Sequence, residues 1–393
     1  MITIGIEHLI AEPPASFAGK RLALLCNQAS TDRHFRHSRE LIMQAFPSQL
    51  TCLFSPQHGF FSEKQDNMIE SDHGIDAASG LPVFSLYGKT RKPSAAMFEH
   101  FDILLIDLQD VGTRVYTFIW TVVYCLQRAA ESGKKVVVLD RPNPVGGQTV
   151  EGNLLKPAFR SFVGLYEIPM RHGLTMGELA LLCNQEMGID AELEVITMQG
   201  WQREMFFVDT GFPWVFPSPN MPTPLTALVY PGQVIWEGTN ISEGRGTTLP
   251  FELVGAPFIK PAQVLQHLAE TGIDLPGCVL RPLAFEPTSG KWAGQSCAGF
   301  HLHVTEPQTF RSYRLSLALY QALFRLYPEE FAYKQPPYEY EYDLLPMDLI
   351  LGDQQLRHAV EEGADIIELE RCWENERKPF DALRQAVFLY PKS

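Results

Sequence analysis

The chain is poor in the features that would take a protein into a membrane or onto nucleic acid. Its most apolar runs, ILLIDL at 103–108 and FIWTVVYCL at 118–126, fall far short of the roughly 18–20 residues that a membrane-spanning helix needs. Basic residues are outnumbered 32 to 46, a formal net charge of −14. That balance disfavours nucleic acid and anionic membrane surfaces as partners, while a few arginines in a cleft can still hold a small anion. None of the seven cysteines forms a CxxC pair, and an odd, scattered set fits reduced thiols better than a disulfide framework. The opening MITIGIEHLIAEPP has no basic stretch leading into an apolar one. No secretory signal is therefore expected, and the expected compartment is the cytoplasm.

Several nucleotide and nucleophile motifs are also missing. No GxGxxG follows the first strand-like run, and SLYGKT (85–90) has Val83 where a phosphate-binding loop needs glycine. GQSCAG (294–299) misses the GxSxG nucleophile elbow by one residue. His301 and His303 would share one strand face without a third ligand close in sequence, so neither a metal centre nor a cofactor is expected.

With 393 residues, 45 % of them hydrophobic and 20 % charged, the chain reads as a two-domain globular protein. In its first half RLALLCN (21–27), LTCLFS (50–55), FDILLIDL (101–108), KKVVVLDR (134–141) and AELEVITM (191–198) alternate with helical patterns at 38–46, 117–132 and 176–187. The strands are almost continuously apolar, as parallel strands buried on both faces are. Thr175 and Glu178 form a capping box for the third helix. The expected fold is α/β: a Rossmann-like, doubly wound, mostly parallel sheet over 1–228, followed by a smaller α+β domain over 229–393. The proline-dense stretch 212–232 reads as an ordered crossover between them. Past it the pattern gives a helix at 261–270, strands near 279–285 and 298–305, and a long helix at 307–327 capped by Thr305 and Gln308. Further helices are expected near 353–362 and 379–388.

Ligands of doubly wound sheets bind beyond the carboxyl ends of the strands. The segments there are NQAS (27–30), SPQHG (55–59), DLQDVGTR (107–114) and DRPNP (140–144). Asp107 and Asp110 emerge from a buried strand, a costly place for a carboxylate unless it is paired or functional. Arg114 and Tyr116 follow them, and Asp140, Arg141 and Asn143 repeat the pattern one strand on. Arg171 and His172 precede a helix N-terminus, which favours anions. The stretch EGTNISEGRGTT (237–248) gathers Glu237, Glu243, Asn240 and Arg245 among three glycines.

These stretches, with VEG (150–152), FVGLYEIPMRHGLTMGEL, PSPNMPT and VYPG, resemble the exo-β-N-acetylmuramidase (NamZ-like) family from about residue 20 to beyond 300. The resemblance implies a site in the cleft between two domains and hydrolytic release of N-acetylmuramic acid from the non-reducing end of peptidoglycan fragments. Such chemistry ordinarily takes two carboxyl groups, and the lactyl carboxylate of muramic acid asks for an arginine. Glu243, Asp110 and Asp107 are the candidate carboxyls, with His58 beside them. Gln57, Glu63, Gln109, Arg114, Tyr116, Arg141, Asn143, Glu151, Arg171, His172, Asn220, Asn240 and Arg245 are the candidate contacts to a small saccharide or muropeptide.

The departure is at Pro56-Gln57-His58-Gly59. Similar sequences carry glutamate where this chain has Gln57, and an amide cannot transfer a proton usefully near neutral pH. Three accounts follow: another carboxylate serves, with Glu63 also at hand; the chain is a wall-sugar binding protein or has altered activity; or Gln57 holds substrate and the acid always lay elsewhere.

Overall fold

The computed structural model describes residues 2–65, 68–88 and 90–391. After helix α1 (Gly5–Ala11), strands β1 (Leu22–Cys26) and β2 (Leu50–Ser55) flank α2 (Ser38–Ala45). A short β3 (Gly74–Ile75), β4 (Pro82–Ser85) and α3 (Ala95–Phe98) lead to β5 (Ile103–Asp107), α4 (Phe118–Ser132) and β6 (Lys135–Leu139). A small hairpin of β7 (Glu151–Leu154) and β8 (Pro169–Arg171) precedes α5 (Met176–Glu186) and β9 (Leu193–Ile196). The main sheet runs β3-β4-β2-β1-β5-β6-β9 and is parallel except for the edge strand β3. Its strands are buried on alternate faces in two separate clusters. Leu24, Leu105 and Val137 pack under α1 and α2, while Leu25, Ile106 and Val138 pack under α4 and α5. That two-sided burial is why the strands read as unbroken apolar runs.

The remainder comprises α6 (Pro224–Gln233), β10 (Leu253–Ala256), α7 (Pro261–Thr271), β11 (Cys278–Phe285), β12 (Cys297–Val304) and α8 (Ser312–Leu326). The tail adds α9 (Pro346–Leu351), α10 (Gln354–Glu361), α11 (Ile366–Glu376) and α12 (Lys378–Ala386). The antiparallel sheet β10-β12-β11 and its helices form the smaller α+β unit, and they share one continuous core with the α4/α5 face of the main sheet. Among the described residues no helix is long and apolar enough to cross a membrane.

Three expectations need correction. The stretch 212–232 is not a crossover throughout: from Pro224 it is α6, capped by Thr223. Pro231 inside α6 cannot donate its helical bond. The Ser312 hydroxyl enters there, accepting from Gly232 N and donating to Val229 O. A Cβ at Gly232 would stand 2.0 Å from the Ser312 carbonyl oxygen, so only glycine permits this close crossing of α6 and α8. The long helix also starts later than expected, at Ser312, with no Thr305–Gln308 cap. The amides of Thr305 and Glu306 donate instead to the Gly277 carbonyl, which binds that segment to the start of β11. Finally, α9 and α11 lie in a tail whose sequence showed only two helices. The motif SLYGKT closes β4 and bends away; its Lys89 lies outside the described residues.

Candidate active site

The chain moves from β1 to β2 and β4 on one side, then returns to β5 on the other. This places the reversal between β1 and β5, where such sheets usually bind ligands. Here the crevice is filled by the proline-rich crossover: Asn27 Nδ2 and Ser62 Oγ both donate to the Pro217 carbonyl, at 2.8 and 3.0 Å, and Gln28 donates to Phe216 O. The open cleft lies beside it. It holds about 460 Å³ of empty space, a figure that includes open solvent.

From the sheet, the loop after β2 contributes Gln57 and His58, and the approach to α4 contributes Tyr116 and Thr117. The crossover adds Ser218 and Asn220. The smaller unit supplies Glu237, Arg245, Tyr338 and Glu339. His58 adopts φ 73°, an uncommon conformation for a residue with a side chain. Its Nδ1 bonds to the Lys64 carbonyl at 2.7 Å, which closes the loop on itself. Glu63 belongs to the same loop but turns away from the cleft: its carboxylate caps the Phe61 amide and sits against Gly59.

Two carboxyl groups face this cleft. Glu237, in the helical turn Val234–Gly238, takes the Arg245 guanidinium at 2.8 Å and the Tyr338 hydroxyl at 2.7 Å. Glu339 sits on a loop with φ 46°. It accepts from Gln57 Nε2 at 3.0 Å and from the Tyr87 hydroxyl at 2.7 Å. Burial pushes the Glu339 carboxyl up to about 7. The Tyr87 and Gln57 hydrogen bonds resist that rise, the Glu237 charge adds to it, and Arg91 opposes it. A carboxyl that keeps its proton near neutrality, beside a second carboxyl held by an arginine, is what paired acid and base work requires.

The N-terminal signature of the exo-β-N-acetylmuramidase NamZ family matches residues 22–225, and its C-terminal signature matches 228–390. The chain belongs to the exo-β-N-acetylmuramidase NamZ family. It is 41 % identical, over 99 % of its length and 91 % of the relative's, to the peptidoglycan β-N-acetylmuramidase NamZ of Bacillus subtilis. Crystal structures of two DUF1343 family proteins from Bacteroides fragilis share the fold. One has a TM-score of 0.86 at 31 % identity over 99 % of both chains. The other has 0.75 at 26 % identity over 100 % of both.

Within this NamZ-family cleft, the residues expected from sequence sort into three groups. Gln57, His58, Tyr116, Asn220 and Arg245 line the cleft. Glu243, Asp110 and His172 do not line it. Glu243 is bound by Lys291 at 2.7 Å and Arg245 at 3.2 Å. Burial works against its charge, but these two cations hold it down at about 2. Its carboxylate is thereby fixed against the Arg245 guanidinium. Asp110 Oδ2 accepts the Gly112 amide at 2.7 Å and lies 3.7 Å from His172 Nε2.

The third group is engaged by the protein's own side chains and backbone. Asp107, fully buried, takes Arg141 Nη2 at 2.8 Å and the Ser38 hydroxyl, so its cost at the strand end is met by pairing. Arg141 spends its donors there and on Thr31 O, and with Gln109 it lines a separate narrow crevice. Arg114 donates to the carbonyls of Asn153, Ile168, Ile350 and Leu351, tying the tail to the sheet domain. Arg171 is closed by Glu151 at 2.6 Å, and Glu151 also accepts Tyr313 N. Asn143 shapes its own turn through Val145 N and Leu174 O. Asn240 holds the 330–332 segment through Glu330 O and Ala332 N. The His301 and His303 rings lie 3.9 Å apart between centroids, tilted by 45°, and both meet Arg281. Among the described residues no three His, Cys, Asp or Glu side chains gather as ligands.

The sequence reading passed over Glu339, and it weighed Glu237 without choosing it. The one available signal for Glu339 was PPYEYEY (336–342), glutamates interleaved with tyrosines after a proline pair and between helices.

Lys291 offers a test of the charge network. Its ammonium donates to Trp236 O, Ile241 O and Glu243. Lys291→Met leaves Glu243 to draw Arg245 away from Glu237. It should cost about 2 kcal/mol by urea unfolding, less than a fully buried pair because the side chain is about a quarter exposed. Unchanged stability would contradict this reading of the network.

Proposed function

We propose that this chain is an exo-acting β-N-acetylmuramidase that removes N-acetylmuramic acid from the non-reducing end of peptidoglycan fragments. The observation that carries the reading is the pair Glu339 and Glu237 in one cleft, the first held near 7 by burial and the second anchored by Arg245. Membership of the NamZ family and the activity named for the Bacillus subtilis relative supply the substrate class.

In this mechanism Glu339 gives its proton to the glycosidic oxygen as the C1–O bond breaks, so the electron pair leaves on a neutral hydroxyl. Glu237 either attacks C1 or removes a proton from the attacking water; water supplies the new oxygen at C1 in both cases. His58, Tyr116 and Asn220 contact the sugar. Arg245 orients Glu237 and adds positive potential for the lactyl carboxylate. Seven free thiols support a reducing compartment, so soluble muropeptides in the cytoplasm are the substrates this reading assigns.

The test uses two disaccharides of opposite order. N-Acetylmuramic acid should be released when it is the non-reducing sugar and not when N-acetylglucosamine is. Tight binding of the first disaccharide without turnover would replace the hydrolase reading with a binding protein.

A further inference from the structure

We propose that Gln57 is a positioning residue for the cleft's proton donor, its amide clamped between Thr117 and Glu339 so that an N–H always faces the carboxyl. The inference rests on the hydrolase reading for its consequence, and on the hydrogen-bond network for its argument. The Thr117 hydroxyl, at the start of α4, donates to Gln57 Oε1. With Oε1 held by that hydroxyl, Gln57 Nε2 faces the carboxyl and donates to Glu339 Oε1 at 3.0 Å. On the other oxygen, the Tyr87 hydroxyl donates at 2.7 Å while accepting from Met68 N. Both carboxyl oxygens thus receive a donor, which pins the plane of a group carried on a left-handed loop residue.

A glutamine suits this place because it accepts at one end and donates at the other. A carboxylate there would lie within about 3 Å of Glu339, and two carboxyl groups so close share one proton. Donation by the amide favours the ionised form of Glu339 and so limits how far burial can raise it. The charged and titratable groups facing Glu339 come from every side. Glu237 stands opposite and raises it, while Arg91, stacked on Tyr340 at 3.6 Å, lowers it. Tyr87, Tyr230, Tyr338 and Tyr340 are phenols that burial holds protonated. His58 and Arg245 share the cleft. Removing the Gln57 amide changes no net charge, so a shift on its removal reports the lost hydrogen bond.

The experiment titrates the Glu339 carboxyl by 13C NMR in labelled full-length protein, assigned by loss of the signal in Glu339→Gln, alongside the pH profile of kcat/KM. Gln57→Leu removes the donor and should move both the titration and the alkaline limb upward by about one pH unit. Thr117→Val releases the amide and should move them the same way by less. Gln57→Glu should move them furthest and split the titration into two steps. Midpoints that stay put or move downward in Gln57→Leu and Thr117→Val would overturn the proposal. A titration that moves in a protein with no turnover would sustain it and reject the hydrolase reading instead.

Discussion

Glu339→Gln should lower kcat/KM for a disaccharide about 10²–10⁴-fold, the contribution usual for a positioned general acid. The substitution keeps the size and one of the two acceptor oxygens that Tyr87 and Gln57 use, but it has no acidic proton to give. In the wild type the carboxyl sits at about 7, so it is protonated below that pH. Activity should therefore hold on the acid side and fall tenfold per unit above, and the variant should lose that limb. Stability gives an independent sign. A carboxyl raised in the fold from an ordinary value of 4.5 costs the native state stability as pH climbs between those values. Glu339→Gln removes that cost, so it should gain stability relative to wild type as the pH is raised from 5 to 8. A variant with full disaccharide turnover at pH 6 would contradict the assignment.

Asp107→Ala should cost about 3–5 kcal/mol of unfolding free energy, the price of stranding a buried charge. Asp107 is fully buried at the end of β5, and Arg141, almost as buried, has its guanidinium on both carboxylate oxygens. The Ser38 hydroxyl, at the start of α2, also loses its acceptor. Three elements around the end of β1 are therefore released together. Urea unfolding measures the loss, and turnover per folded molecule should change little. A stable protein with abolished turnover would return Asp107 to the catalytic group.

The sheet was legible in the sequence because its physics is local. Strands buried on both faces must be apolar at every position, and RLALLCN, LTCLFS and KKVVVLDR declare this without reference to anything distant. The Thr175–Glu178 box was equally local, and it forms. Helix α8 was misjudged because the Gly277 carbonyl, far back in sequence, takes the Thr305 amide that the Gln308 side chain of a capping box would have accepted.

The site divides along the same line. The loop after β2 could be placed beside the site from its position in the sheet alone. Polar residues at strand ends could not be sorted, because an arginine that binds four carbonyls, like Arg114, reads the same as one that meets a ligand. Glu339 was missed for the opposite reason. It comes from a loop 282 residues away from Gln57, and nothing in PPYEYEY signals that its glutamate is carried into the sheet domain's cleft and kept there by Tyr87.

The central claim is that Glu339 donates the proton to the leaving group, and changing the leaving group tests this most directly. Wild type and Glu339→Gln are compared on the disaccharide and on 2,4-dinitrophenyl β-N-acetylmuramide, whose phenolate departs without a proton. The account predicts that the variant loses the disaccharide by about 10²–10⁴-fold and hydrolyses the dinitrophenyl glycoside at close to the wild-type rate. Equal losses on both substrates would contradict it.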